Sequence, residues 1–240
     1  MNMKNVLLID SGSGGINILK ECVNIAPRCN FLLFCDAYNI PYGNKTKQEL
    51  ISITEENLNM IYQFFKFDIV ILACNTLTAT VLDEMREKFP NIIFIGTVPA
   101  IKPAILENKE KDILLIATEA TIKNNKLIKK YENSEITFLP LNDLAVLIDE
   151  NLDNLDVIKP YLKENIDKRF KAIVLGCTHY RAIIPQIKEL FPDMKVYDSA
   201  NGVARRLLSF VQDEPPNNFQ VQIFCEKVDM LGKFWWYYNA

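Results

Sequence analysis

The chain lacks the features that mark nucleic-acid-binding and membrane proteins. Its 240 residues carry 27 Lys and Arg against 30 Asp and Glu, a formal net charge of −3. Binding to nucleic-acid phosphates draws on clustered basic residues, and this sequence has no basic face with interleaved aromatic residues. No apolar run approaches the roughly 20 residues that a membrane-spanning helix requires. We therefore expect neither nucleic acid nor a membrane as a partner.

The sequence also lacks a disulfide framework and a secretory signal. Its N-terminal residues pass from Met1-Asn-Met-Lys-Asn5 straight into Val6–Asp10, without the regions of a signal peptide. The cysteines contain no CxxC pair, and they are Cys22, Cys29, Cys35, Cys74, Cys177 and Cys225. We expect a cytoplasmic protein whose cysteines are free thiols.

A nucleotide-binding fingerprint is absent as well. The segment Asp10-Ser-Gly-Ser-Gly-Gly15 follows an apolar run, but Asn17 stands where a GxGxxG motif needs its third glycine, and there is no GK[ST]. This turn is still a candidate anion site, for a carboxylate or a phosphate. A second turn, Pro41-Tyr-Gly43, is either a surface loop or part of a cleft at the strand ends.

Apolar runs alternate with amphipathic stretches along the chain, and 49% of the residues are hydrophobic, enough for a sizeable core. This alternation predicts βαβ units and a parallel sheet. The predicted strands are Val6–Asp10, Phe31–Asp36, Ile69–Cys74, Ile92–Val98, Ile113–Thr118, Ile136–Leu141, Ala172–Cys177, Lys195–Asp198 and Val221–Glu226. The predicted helices include Glu49–Phe65, Thr78–Lys88, Thr121–Tyr131, Arg181–Leu190 and Asn201–Phe210.

Two of the apolar runs are nearly alike. Ile69-Val-Ile-Leu-Ala-Cys74-Asn-Thr76 and Ala172-Ile-Val-Leu-Gly-Cys177-Thr-His179 each end in a small residue, a cysteine and polar side chains. Continuous apolar runs favour strands buried on both faces, and ligands of open α/β sheets bind beyond the carboxyl ends of such strands. We therefore expect two similar halves that place one thiol each around a small substrate.

This repetition predicts two domains. Residues 1–98 with about 205–240 form an N-terminal domain completed by the C-terminal segment, and residues from about 99 to 204 form the second domain. The segment Asp213–Asn218 is a predicted linker, and the aromatic tail Phe234–Tyr238, with Trp235 and Trp236, is expected to pack on the first domain.

The two cysteine motifs admit three interpretations. Each cysteine is a small buried hydrophobe, or a metal ligand, or an acid/base group. A zinc site could be assembled from Cys74, Cys177, His179 and Asp10, although the short ligand spacings common in zinc sites are missing apart from Cys177 and His179. Because two matched strand ends each carry a thiol, and the single histidine of the chain follows the second thiol, the acid/base interpretation fits best.

Together these segments resemble glutamate racemases, which belong to the cofactor-independent aspartate/glutamate racemase superfamily. The likeness covers essentially the whole chain, and the Cys-Thr-His form of the second motif is typical of glutamate rather than aspartate racemases. The matching segments are Asp10-Ser-Gly-x-Gly-Gly15, Pro41-Tyr-Gly43, Ala73-Cys-Asn-Thr76, Gly96-x-Val-Pro-Ala-Ile-Lys-Pro103, Ile116-Ala-Thr118 and Gly176-Cys-Thr-His-Tyr180.

The resemblance implies an α/β fold of two similar domains, each a mostly parallel sheet flanked by helices, with the active site in the cleft between them. It implies interconversion of L- and D-glutamate without cofactor or metal, D-glutamate for peptidoglycan, and a homodimer. Catalytic Cys74 and Cys177 would be assisted by Asp10 and His179. The implied substrate-binding residues are Ser11, Tyr42, Gly43, Asn75, Thr76 and Thr178.

Some positions depart from the family pattern or leave its alignment open. Ser13 and Thr97 replace apolar residues, and Arg181 stands where a proline is common. An assisting glutamate of many members corresponds here to Asp149 or Glu150. The alternative functions are racemisation of another amino acid such as aspartate, amino-acid binding without catalysis, and metal-dependent hydrolysis.

Overall fold

The computed structural model describes residues 3–108, 112–131, 136–211, 219–227, 230 and 232–233. The predicted linker at 213–218 and the aromatic tail at 234–238 lie outside these described residues.

The described strands form two parallel sheets. The first sheet has the order β4-β3-β1-β2-β9, the second has the order β6-β5-β7-β8, and every neighbouring pair runs parallel. The prediction of an α/β fold with two mostly parallel sheets is confirmed. The strands are β1 (Lys4–Asp10), β2 (Cys29–Cys35), β3 (Ile69–Leu72), β4 (Ile93–Gly96), β5 (Ile113–Ala117), β6 (Ile136–Pro140), β7 (Ala172–Gly176), β8 (Lys195–Tyr197) and β9 (Val221–Cys225).

Helices connect most of these strands and cover the sheets. No described helix has the length and apolar character needed to cross a membrane. The helices are α1 (Ile16–Ile25), α2 (Lys47–Tyr62), α3 (Asn75–Lys88), α4 (Ile101–Glu107), α5 (Glu119–Asn124), α6 (Lys126–Lys129), α7 (Leu144–Glu150), α8 (Lys159–Asn165), α9 (Ile184–Leu190) and α10 (Ala200–Leu208).

The continuous apolar runs are explained by burial on both sides of each sheet. Along β1, Val6 and Leu8 belong to one hydrophobic core while Leu7 and Ile9 belong to the core on the opposite face. All four side chains are fully buried. Each such burial stabilises the fold by roughly 1.5–3 kcal/mol, so both faces of the strand select apolar residues.

The chain returns to the first sheet after completing the second. Helix α10 packs against α1 and contributes Ala204 and Leu207 to a core of the first sheet. Strand β9 then pairs with β2, with Val221 opposite Phe31. The domain boundaries near residues 98 and 205 stay predictions, and the second of them falls inside α10.

Two predicted helices differ from the observed ones. The segment 121–131 is not one helix, because Asn125 leaves the helical conformation and its side chain accepts a hydrogen bond from the Ile128 amide (3.2 Å), which starts α6. The segment 181–190 begins as a 3-10 helix at Thr178–Ile183 and becomes α9 at Ile184. Local hydrogen bonding at asparagine competes with the helix, which periodicity alone does not detect.

Candidate active site

The polar motifs follow strands that end at the same edges of the two sheets. Strand β1 ends at Asp10 and pairs with β3, with Ile9 opposite Leu72, so Asp10 and Cys74 lie at one edge of the first sheet. Strand β7 ends at Gly176 and presents Cys177 from the second sheet. The helix-like turn Ser13–Gly15 contacts the 3-10 helix that follows Cys177. This contact brings the edge of the first sheet that carries Asp10 close to the edge of the second sheet that carries Cys177.

The glycines of the first turn allow this close contact. A Cβ atom at Gly14 would lie 2.5 Å from Thr178 Oγ1 and 2.9 Å from the backbone nitrogen of His179. The Thr178 hydroxyl donates to Asp10 Oδ2 (3.2 Å), and the Asn17 side chain donates to the Thr178 carbonyl (3.1 Å). The turn that sequence alone offered as an anion site therefore packs against the Cys177-Thr-His179 segment.

Cys74 lies in the more enclosed of the two thiol environments. It immediately precedes α3, a helix of 14 residues, and its side chain is within 3.8 Å of the Ser11 hydroxyl. Burial, with smaller contributions from the Asp10 and Cys177 charges, raises the pKa of Cys74 to about 12, although the Leu77 amide and Ser11 lower it. The helix N-terminus and these donors favour a thiolate, but burial outweighs them.

Cys177 is only partly buried and lies beside the single histidine of the chain. Its Sγ atom is 3.7 Å from His179 Nδ1, and His179 Nε2 is 3.6 Å from Asp149 Oδ2 on α7. Burial disfavours the charged ring, but the Asp149 carboxylate and the Cys177 sulfur together hold the pKa of His179 well above its usual 6.5. Cys177 therefore lies beside a ring whose protonated form is favoured, whereas the described groups around Cys74 are Asp10, Ser11 and the Leu77 amide.

Asp10 connects the two sides electrostatically. It is completely buried, and burial raises its pKa to about 6 against the effects of His179, the Gly12 amide and Thr178. The Gly12 amide donates to Asp10 Oδ1 (2.8 Å). A carboxyl group with a pKa of about 6, close enough to Cys74 and His179 to act on their charges, is suited to proton exchange.

The predicted substrate-binding residues occupy different parts of this region. Asn75 donates to the Thr97 carbonyl (3.2 Å), while its Oδ1 atom is buried without a hydrogen-bond partner among the described residues. Thr76 hydrogen-bonds to Thr118 and Thr121 at the start of α5 (2.9 and 3.2 Å), across the two halves.

Tyr42 and Gly43 lie in a short 3-10 turn that contacts both α3 and α5. The Tyr42 hydroxyl donates to Asp36 (2.7 Å), and this hydrogen bond helps to hold the loop after β2. A Cβ atom at Gly43 would meet no heavy atom within 4 Å. These positions agree with the predicted cleft but do not test a role in binding.

Sequence reasoning missed several residues of the region. Thr118 and Thr121 bind Thr76 from the second half; Thr118 lies in the matching segment Ile116-Ala-Thr118, but no sequence signal pointed to Thr121. Ser13 and Lys233 contact Asp149, and no sequence signal linked these three positions. Of the two residues that could correspond to the assisting glutamate, Asp149 lies near His179, whereas Glu150 is exposed.

Arg181 lies beside the site but is paired elsewhere. Its guanidinium donates to both carboxylate oxygens of Asp198 (2.9 and 3.0 Å), which ties the 3-10 helix to the residues after β8. Arg181, which stands where a proline is common in the family, is therefore held in place by Asp198.

The four residues considered as zinc ligands do not converge as a ligand set. Within the described part of the chain, no group of three or more His, Cys, Asp or Glu side chains is arranged to hold a metal ion. Instead the polar atoms of Asp10 and His179 are turned to Thr178, Gly12, Cys177 and Asp149.

The chain resembles known proteins in both sequence and fold. The chain is 36% identical to the glutamate racemase of Clostridium acetobutylicum over 219 residues, 86% of this chain and 84% of that protein. Its fold matches Escherichia coli glutamate racemase, solved with L-glutamate and the activator UDP-MurNAc-Ala, at TM-score 0.85 and 25% identity, covering 99% of this chain and 96% of that one. Campylobacter jejuni glutamate racemase matches at TM-score 0.81 and 25% identity, covering 98% of each chain.

The family model described as Asp/Glu/Hydantoin racemase matches residues 25–207. This span includes both cysteine motifs, and the resemblance inferred from the sequence is confirmed. The chain belongs to the Asp/Glu/hydantoin racemase family.

Proposed function

We propose that this protein is a cofactor-independent racemase that interconverts L- and D-glutamate. The observation that carries this function is that two strand-end thiols, Cys74 and Cys177, lie close enough for the charge of Cys177 to raise the pKa of Cys74. The relatives named glutamate racemase, with the L-glutamate complex of the E. coli protein, support glutamate as the substrate.

Two thiols on opposite faces of an α-carbon are sufficient for racemisation by proton transfer. One thiolate removes the α-proton, and the other thiol returns a proton to the opposite face, which inverts the centre. The reverse reaction exchanges the two roles, so one sulfur is ionised and the other protonated at the start of each turnover. By analogy with the family, Cys74 deprotonates D-glutamate and Cys177 deprotonates L-glutamate.

The substrate itself alters the ionisation of the site. The surroundings of Cys74 favour the protonated thiol, because burial raises its pKa to about 12. The ammonium group of a bound amino acid brings a positive charge between the thiols, and an opposite charge within about 4–6 Å favours the thiolate. Substrate binding therefore favours the thiolate that is needed to remove the α-proton.

The polar groups around the thiols divide into assistants and ligands. Asp10 and His179 are the groups that exchange protons with Cys74 and Cys177, and Asp149 orients and charges the His179 ring. The buried, unpartnered Asn75 Oδ1 is an acceptor suited to the substrate ammonium, since leaving it unpaired costs about 1–3 kcal/mol. Further binding roles are assigned to Ser11, Tyr42, Gly43, Thr76 and Thr178.

The wider context of this activity is also proposed. We assign the protein to the cytoplasm, with D-glutamate used for peptidoglycan and a homodimer as the assembly. The cleft is formed between an N-terminal domain of residues 1–98 completed by about 205–240 and a second domain of about 99–204. The mass of the untagged protein in solution tests the dimer.

Circular dichroism of purified protein with L-glutamate, and separately with D-glutamate, tests the function. Either enantiomer should lose its signal until the mixture is racemic, with no cofactor added and with no change when a chelator is present. Loss of activity on chelation and its return with zinc would contradict the two-thiol mechanism. A large preference for aspartate would change the substrate, and binding without loss of signal would indicate an amino-acid-binding protein.

A further inference from the structure

Asp149 joins three separate parts of the chain. The Ser13 hydroxyl, from the turn after β1, is 3.2 Å from Oδ1 and 3.3 Å from Oδ2 of Asp149. His179 Nε2 approaches Oδ2 to 3.6 Å from the 3-10 helix after β7. Lys233 Nζ reaches the same Oδ2 atom to 3.4 Å from the C-terminal segment beyond β9. One carboxylate thus has a hydroxyl and two basic groups around it.

The burial of this group makes its charges effective. The Asp149 side chain is 12% exposed and the His179 side chain is 9% exposed. Ser13 is fully buried, so its hydroxyl needs an internal partner and finds it in the opposite half of the molecule. Water screens such charges much less than it screens surface pairs.

Lys233 and Asp149 act on the His179 ring with opposite signs. With the ring protonated, His179, Asp149 and Lys233 carry a net charge of +1, and with the ring neutral the net charge is zero. Asp149 therefore favours the protonated ring, while Lys233 opposes it. Cys177, on the same segment, and Asp10, at the end of β1, are further ionisable groups of the described residues that act on the ring.

We propose that Lys233 is a positioning residue of the Cys177 side, which shares the Asp149 carboxylate with His179 and eases the release of the ring proton during turnover. This inference rests on the proposed racemase function for its purpose, but its physical content does not. Ser13 holds the carboxylate between the two basic groups from the other half. Lys233 acts through Asp149 and contacts neither sulfur among the described interactions.

The single histidine of the chain allows a direct test. With labelled histidine and no affinity tag, the NMR signal of the ring reports the protonation of His179 alone. Lys233→Met removes the charge and keeps most of the side-chain length, so His179 should hold its proton more tightly, by about tenfold in the protonation equilibrium. Lys233→Arg keeps the charge and should titrate like the parent.

Two further variants calibrate the measurement. Asp149→Asn removes the favourable charge and should shift the His179 titration in the opposite direction. Lys227→Met removes a lysine of the same C-terminal segment that lies over the Tyr38 ring, and it should leave the titration unchanged. An unshifted titration in Lys233→Met, or equal shifts in Lys233→Met and Lys227→Met, would overturn the proposal.

Kinetics separate this inference from the proposed function. The pH profile of kcat/KM from L-glutamate should move in Lys233→Met by the same amount and in the same direction as the NMR titration. If the parent protein does not racemise glutamate, the function fails while the NMR arm still decides the role of Lys233. If the parent protein racemises glutamate but the His179 titration does not move in Lys233→Met, the proposal for Lys233 is wrong and the proposed function stands.

Discussion

The two thiol sites share a sequence pattern but differ in their surroundings. Cys74 is buried at the start of the long helix α3, close to Asp10 and the Ser11 hydroxyl. Cys177 is partly exposed before a short 3-10 helix and lies beside His179, which is paired with Asp149. One sulfur therefore depends on a helix N-terminus and a carboxyl group, and the other on a basic ring with its own counter-charge.

This difference shows that a duplicated local motif does not give duplicated chemistry. Each cysteine follows an apolar strand for the same reason, since a small side chain fits where the strand ends. The groups that distinguish the two sites come from remote positions, since Ser11 contacts Cys74 and Asp149 contacts the His179 ring that lies beside Cys177. The proposed mechanism would use this asymmetry, because it requires the two sulfurs to begin each turnover in opposite protonation states.

The largest expected effect is the loss of either thiol. Cys74→Ala and Cys177→Ala should each reduce racemisation by at least about a thousandfold, because each removes one of the two proton-transfer groups. The fold should persist, since alanine is small enough for either strand end. Circular dichroism of glutamate gives the rate, and thermal unfolding checks the fold.

Cys22→Ala is the matched control for these variants. Cys22 is fully buried in a core of the first sheet and belongs to no part of the proposed site. It should retain the parent rate. Full activity in Cys74→Ala or Cys177→Ala would rule out the two-thiol assignment.

A smaller effect should distinguish the two sides by direction. His179→Asn should slow the reaction that begins at Cys177, from L-glutamate, by about a hundredfold, while Asp10→Asn should do the same for the reaction that begins at Cys74. Incorporation of deuterium at the α-carbon in D2O, measured from each pure enantiomer, gives the two rates. Asp143→Asn, an exposed carboxylate before α7, provides the control.

Equal slowing of both directions in both variants would remove the paired assignment of Asp10 and His179. Normal rates in both directions would make these residues structural. The two thiol sites would then differ only in how deeply their cysteines are buried.

The smallest expected effect concerns how fast the Cys74 thiol is alkylated when no substrate is added. Because burial raises the pKa of Cys74 to about 12, its thiolate fraction rises with pH without levelling off between pH 8 and 10. Alkylation by iodoacetamide, followed by mass spectrometry of the Cys74 peptide, should therefore accelerate about tenfold per pH unit over this range.

Glutathione in the same solution serves as the reference thiol, whose rate levels off near its ordinary pKa. Asp10→Asn removes a charge that raises the pKa of Cys74, so it should accelerate the alkylation several-fold at pH 8. A Cys74 rate that levels off near pH 9 would show that burial does not dominate this site.

Much of the fold and of the site was predictable from particular patterns. The apolar runs at β1, β3 and β7 predicted strands buried on both faces, and the strands end within a few residues of their predicted limits. The motifs around Cys74 and Cys177 were placed correctly at strand ends. The break at Asn125 was not predicted, because a side-chain hydrogen bond of one residue overrides a periodic apolar pattern.

The sequence by itself determined which residue types stand at the strand ends and in which order, because burial on both faces of a parallel sheet imposes a local apolar pattern. It did not determine which distant residues meet at each thiol. Three contacts join positions far apart in the chain: Gly14 approaches Thr178, Asp149 lies near His179, and Lys233 contacts Asp149. Only the packing of the two sheets decided these contacts, since distances and desolvation fix electrostatic interactions and neither is encoded in local spacing.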